Sequence, residues 1–140
     1  MKKSTWSLFL ALSLMSLVFT SCKKDDEVST KDRLTGKWNL IKMEGSDFSN
    51  GTSTPYNEQF EPGSYLQFNS NNSVIVNADG SVEAGIWSVN DNKLTLTDSS
   101  DIDDAQTFDI KKLTGNELQI YIKETFSGGD YYEETLFLTK

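Results

Sequence analysis

From Leu34 onward, apolar and polar positions alternate in short runs that turn residues interrupt at regular spacing. Leu66 and Phe68 share one face against Tyr65 and Gln67, and Leu94 and Leu96 stand opposite Thr95 and Thr97. Phe108 and Ile110 oppose Asp109 and Lys111, and Leu118, Ile120 and Ile122 oppose Gln119, Tyr121 and Lys123. Near the end, Tyr132, Leu136 and Leu138 oppose Glu133, Thr135 and Phe137. Successive side chains of a strand point to opposite faces, so a period of two marks half-buried antiparallel strands. The breaks Asn69-Ser70-Asn71-Asn72, Asp79-Gly80, Asp91-Asn92, Gly115-Asn116 and Gly128-Gly129 supply residues that tolerate positive φ, as tight hairpins require. Eight strands are predicted, over residues 36–43, 64–69, 73–77, 82–89, 93–97, 106–113, 117–124 and 131–139. Joined by short turns, they pair in chain order as an all-β, antiparallel up-and-down meander, which removes its sticky sheet edges by closing into a barrel.

The inward set is bulky: Leu66, Phe68, Val74, Val76, Leu94, Leu96, Phe108, Ile110, Leu118, Ile120, Ile122, Leu136 and Leu138. A barrel of this size is either filled by its own side chains or holds one small ligand. Two connections are long. Residues 44–63 are rich in Gly, Ser, Thr and Asn, contain Pro55 and Pro62, and read as a loop over the mouth. Its aromatics Phe48, Tyr56 and Phe60 are the candidate ligand contacts, with the alternative that they pin the loop to the rim. The second connection carries Asp98, Asp101, Asp103 and Asp104. It lacks the ligand spacing and central glycine of an EF-hand loop, so a solvated acidic loop is expected and no metal site.

Upstream of this pattern the chain is different in kind. Lys2 and Lys3 precede an apolar run from Trp6 to Phe19. Its length lies within the roughly 7–15 residues of a secretory signal and short of the about 20 needed to cross a membrane. Val18-Phe19-Thr20-Ser21-Cys22 resembles the lipobox of bacterial lipoproteins, which implies cleavage after residue 21 and acylation of Cys22, the single cysteine. The tract Lys23, Lys24, Asp25, Asp26 and Glu27 resembles the surface-export signal of Bacteroidota-type lipoproteins. The implied address is the outer membrane, lipid-anchored and exposed at the cell surface. Residues 22–33 hold Val28 as their only apolar residue after the cysteine and read as a flexible charged linker, leaving 34–140 as the folded domain.

Charge and composition narrow the chemistry. The chain has 13 basic and 21 acidic residues, and two of the lysines leave with the signal segment. So acidic a surface repels phosphate backbones, which bind through clustered Lys and Arg; no nucleic-acid partner is expected. Histidine is absent, which removes the usual general base and the Ser-His-Asp hydrolases. With no glycine-rich phosphate loop either, the reading is non-catalytic and without a cofactor.

Gly36-Lys37-Trp38 opens the first strand directly after a polar leader. With Leu34-Thr35 before it and Gly85-Ile86-Trp87-Ser88-Val89 later, it resembles the lipocalin-like (calycin-like) domains of Bacteroidota lipoproteins across residues 34–140. The resemblance implies that Trp38 packs across the closed end of the barrel, a structural role it shares with Gly36. It also implies a small, mostly apolar ligand entering at the other end. The alternative is a surface-displayed protein-interaction module with a solid core, for which Ile75, Tyr121, Tyr131 and Phe137 on the polar face would supply an apolar patch if they cluster.

Overall fold

The computed structural model describes residues 28–101 and 103–140. One helical turn precedes nine strands: α1 (Thr30–Leu34), β1 (Gly36–Ser49), β2 (Thr52–Gln59), β3 (Tyr65–Phe68), β4 (Ser73–Ala78), β5 (Ser81–Asn90), β6 (Lys93–Asp98), β7 (Ala105–Leu113), β8 (Glu117–Thr125) and β9 (Tyr131–Thr139). All pairings are antiparallel, and β1 pairs with β3 on one edge and with β9 on the other. β1 and β3 through β9 therefore form a closed eight-stranded barrel. Asn72, Asp79 and Asp91 take positive φ in the hairpin turns.

Three elements differ from the expectation. β1 does not stop at residue 43; it continues to Ser49, turns at Asn50-Gly51, and returns as β2 with Gly45 opposite Tyr56. Residues 44–59 are thus a hairpin rather than a loop, its β1 arm in the wall beside β9 and its β2 arm a flap on the far edge of β1. β2 pairs only with β1. Its residues are almost all exposed, so it has no apolar face to betray it, and Pro55 fits such an edge because proline cannot donate to a ladder.

The second difference is at residues 30–34, where the expected linker is already helical. Ser29 caps the turn: its Oγ accepts from the Asp32 amide at 3.1 Å and donates to the Asp32 carboxylate at 2.7 Å, a capping arrangement worth about 1 kcal/mol. The third is a pair of bulges. The β1–β9 register shifts between Leu40 and Lys42, and the β7–β8 register between Ile110 and Lys112. An extra residue flips the alternation, so Met43, Gly45 and Asp47 face inward after Trp38 and Leu40 do, and Leu113 joins the core.

The predicted inward set lies in or against one core, with Leu34, Trp38, Leu40 and Trp87 added. The end formed by α1 and the β3–β4, β5–β6 and β7–β8 turns is closed. Trp38 is fully buried there and its Nε1 donates to the Leu34 carbonyl at 2.7 Å. Phe68 and Trp87 pack edge to face at 5.1 Å. Arg33 donates to the Leu113 carbonyl, and Lys140 lies 4.4 Å above the Trp38 ring while donating to the Arg33 and Thr35 carbonyls. Gly36, at φ +123°, turns the chain from α1 into β1 in a backbone region that side chains disfavour.

Candidate functional site

The opposite end of the barrel holds a cavity of about 330 Å³. Its apolar floor is made by Leu40, Leu66, Val74, Val76, Leu96 and Phe108, and Phe60 closes one side. Two inward positions in its wall carry little or no side chain. Ala78 ends β4, and Gly85 faces Val74 across the β4–β5 pair. A Cβ on Gly85 would collide with the Thr97 carbonyl and reach Val74 at 3.4 Å, so the wall is drawn tight exactly where a side chain is missing.

Above the floor the lining becomes acidic. Glu83, Asp98, Asp104 and Glu134 line the cavity, and among the described residues no Lys or Arg does. Glu134 is the most enclosed of the four by position, on β9 opposite Gly45. Its Oε2 accepts from the Tyr56 hydroxyl at 3.2 Å. Burial raises its pKa above the ordinary 4.5, the Tyr56 hydrogen bond lowers it, and the charges of Asp47, Glu124 and Glu58 raise it again. Tyr56 itself is pushed up to about 12, by burial first and then by the Glu134 charge. Tyr132 is also pushed up to about 12, by burial and then by Glu124.

The three aromatics singled out in the sequence separate. Phe60 reaches the cavity, and Tyr56 reaches it through Glu134. Phe48 does not: it pairs with Tyr131 and stacks on that ring at 5.0 Å, outside the barrel. Cys22 and the tract Lys23, Lys24, Asp25, Asp26 and Glu27 lie outside the described residues, as does the segment 1–21. Gly36 and Trp38 sit at the closed end, away from the cavity. In the acidic connection, Asp98 accepts from the Ser100 amide at 2.6 Å and hydroxyl at 2.7 Å, which hold its carboxyl below the usual range. Among the described residues no group of carboxylates is placed to hold a metal ion, and no helix is long and apolar enough to cross a membrane.

Residues 34–120 match the lipocalin-like domain family. The chain belongs to that family. Among solved structures, this lipocalin-like domain is similar to apocrustacyanin C1, with a TM-score of 0.54 at 11% identity over 79% of this chain. It spans 62% of that chain's length. A bovine odorant-binding protein, in a deswapped triple mutant, aligns at 17% identity with a TM-score of 0.41, covering 77% of this chain and 74% of its own. An uncharacterised protein from Bacteroides eggerthii aligns at 17% identity with a TM-score of 0.36, covering 76% and 99%. No curated protein sequence matches.

Glu134 is the site residue that the sequence reading passed over. It occupies the even-numbered inward parity of Tyr132, Leu136 and Leu138, so the alternation itself placed it inside. Its charge argued for the outer face, and burial of a carboxylate is uncommon enough to make that the default.

Proposed function

We propose that the lipocalin-like domain is a non-catalytic cup for one small, mostly apolar molecule, carried at the outer membrane on an acylated Cys22. The observation that carries the binding reading is the cavity of about 330 Å³, at the lower end of ligand-pocket volumes, in a barrel that its own side chains would otherwise fill. An interaction module with a solid core fits less well. Three of the outer aromatics that would form its patch are covered by lysine ammonium groups: Tyr121 by Lys111 at 4.8 Å, Tyr131 by Lys123 at 3.6 Å and Phe137 by Lys42 at 4.6 Å from the ring centres.

The proposed tether and the cup suit each other. α1 enters at the closed end, and the eight residue steps from Cys22 to Thr30 reach at most roughly 26–29 Å. An anchor there holds the base toward the lipid and turns the mouth away. Multiple acyl chains, each contributing about 0.8 kcal/mol per buried CH₂, make such attachment stable.

Native mass spectrometry of protein purified from its host tests the cup. A copurifying small molecule is expected, lost in a Val76→Phe variant that fills the floor with a larger ring; a bare mass in both overturns the reading. Cys22→Ser is expected to move the protein out of the membrane fraction, and its retention there refutes the anchor.

A further inference from the structure

We infer that the cup selects a cationic amphiphile: a small amine whose apolar body rests on Leu66, Val74 and Phe108 and whose ammonium group is held by Glu134. The inference rests on the binding reading above and adds to it the chemical class of the ligand.

Among the described residues the lining carries four carboxylates and no cation. A neutral apolar ligand gives no reason for such a rim, and a fatty acid would bring a fifth negative charge against it. Glu134 is placed for an ammonium partner. Its Oε2 takes the Tyr56 hydroxyl, the one donor that reaches this carboxylate among the described residues, so the group keeps acceptor capacity toward the cavity. Asp47, Glu58 and Glu124 face it from β1, β2 and β8, Tyr56 from β2 and Tyr132 from its own strand. All are acidic or neutral, so nothing nearby neutralises it. A half-buried carboxylate without a counter-charge is less well solvated than one in water, and an arriving ammonium group gives it a charge-assisted hydrogen bond.

The distribution of the basic residues points the same way. Lys31, Arg33, Lys37, Lys93, Lys111, Lys112 and Lys140 lie toward the closed end, on α1 or on strand segments next to its turns. Toward the mouth, Lys42 on β1 is engaged by Glu44 at 2.5 Å and Lys123 on β8 by Glu133 at 3.6 Å, on the outer face of the wall. The barrel is thus polarised along its axis, negative at the mouth, and steers cations inward.

Octylamine, octanol and octanoate share one apolar body and differ in the head group, so calorimetric titration with the three at neutral pH and low salt isolates the charge. Octylamine is expected to bind at least about tenfold more tightly than octanol, with octanoate weakest. Acidification is expected to erase the preference for the amine as Glu134 takes a proton. Glu134→Gln is expected to cut the amine-over-alcohol ratio by about tenfold, and Glu83→Gln at the exposed rim by less. If octanol equals octylamine, or octanoate binds best, the amine inference is overturned while the apolar cup stands. If none of the three binds, the cup itself falls and the inference with it.

Discussion

The Tyr56 hydroxyl donates to Glu134 across 3.2 Å and so joins the β1–β2 hairpin to the barrel wall. Gly45 makes the contact feasible. A Cβ there would lie 2.6 Å from the Tyr56 ring carbon and oxygen and would collide with the Glu133 carbonyl, so the ring lies flat over a position without a side chain. The hydrogen bond adds a side-chain tie to β9 for a strand whose backbone ladder runs to β1.

Tyr56→Phe keeps the ring and removes the tie. Stability is expected to fall by about 1 kcal/mol, with faster amide exchange over residues 52–59 than elsewhere in the wall. Because the lost hydrogen bond lowers the Glu134 pKa, that pKa is expected to rise further, which an NMR titration of the side-chain carboxyl reads directly. Unchanged exchange over β2 would show that the backbone ladder with β1 holds the flap without help.

Glu134→Gln is expected to raise Tm by a few degrees at neutral pH. The sign follows from linkage: the folded-state pKa lies above the ordinary 4.5, so Glu134's favourable contribution is complete below that value and is lost as pH rises through the folded pKa. Glutamine retains an acceptor for Tyr56 and never charges. Thermal melts across acid and neutral pH check this, since the gain over the parent must shrink on acidification.

On the alkaline side the sign is the same and the window different. Tyr56 and Tyr132 stand near 12 against an ordinary 10.0, so what they contribute is whole below pH 10 and is lost as pH rises through about 12. Tyr121 is also raised, by burial and by its hydrogen bond to Glu133, so an ultraviolet titration of tyrosinate is expected to show three late-ionising tyrosines, with unfolding accompanying Tyr56 and Tyr132. Normal titration of all five tyrosines in folded protein would contradict the burial assigned to these two.

Trp38→Phe tests the closed end. The smaller ring leaves space in a site with no solvent exposure, and the Leu34 carbonyl loses its 2.7 Å donor. A loss of about 2–4 kcal/mol in denaturant unfolding is expected, with α1 undocking before the wall opens.

The wall was legible because its residues obey one rule: even positions turn to the core from Leu66 to Phe68, from Leu94 to Leu96 and from Leu118 to Ile122. Where the rule ceased to operate, reading failed. β2 part-buries Tyr56 alone and has no alternating apolar face, so Thr52 to Gln59 look like a loop and owe their strand to the neighbouring edge of β1. The bulge at Ile41 reverses parity within one strand, which hid the inward direction of Asp47 and gave no sign that Phe48 points out. α1 did carry a signal, the Ser29–Asp32 cap, but five residues are too few for apolar periodicity to reinforce it. The cavity was hardest, since at Gly85 and Ala78 its wall is marked only by little or no side chain.

The described chain both starts and finishes at the plugged base, where Lys140 meets the carbonyls of Arg33 and Thr35. Its ring of strands is therefore sewn shut by the β1–β9 seam, with both loose threads on the same side. A circular permutant that joins these ends through a short linker and opens the Asp79-Gly80 turn is expected to reassemble the same hoop, as its strand spectrum and melting profile would report. Cargo fused after Lys140 would likewise hang beneath the vessel and leave its lip unobstructed.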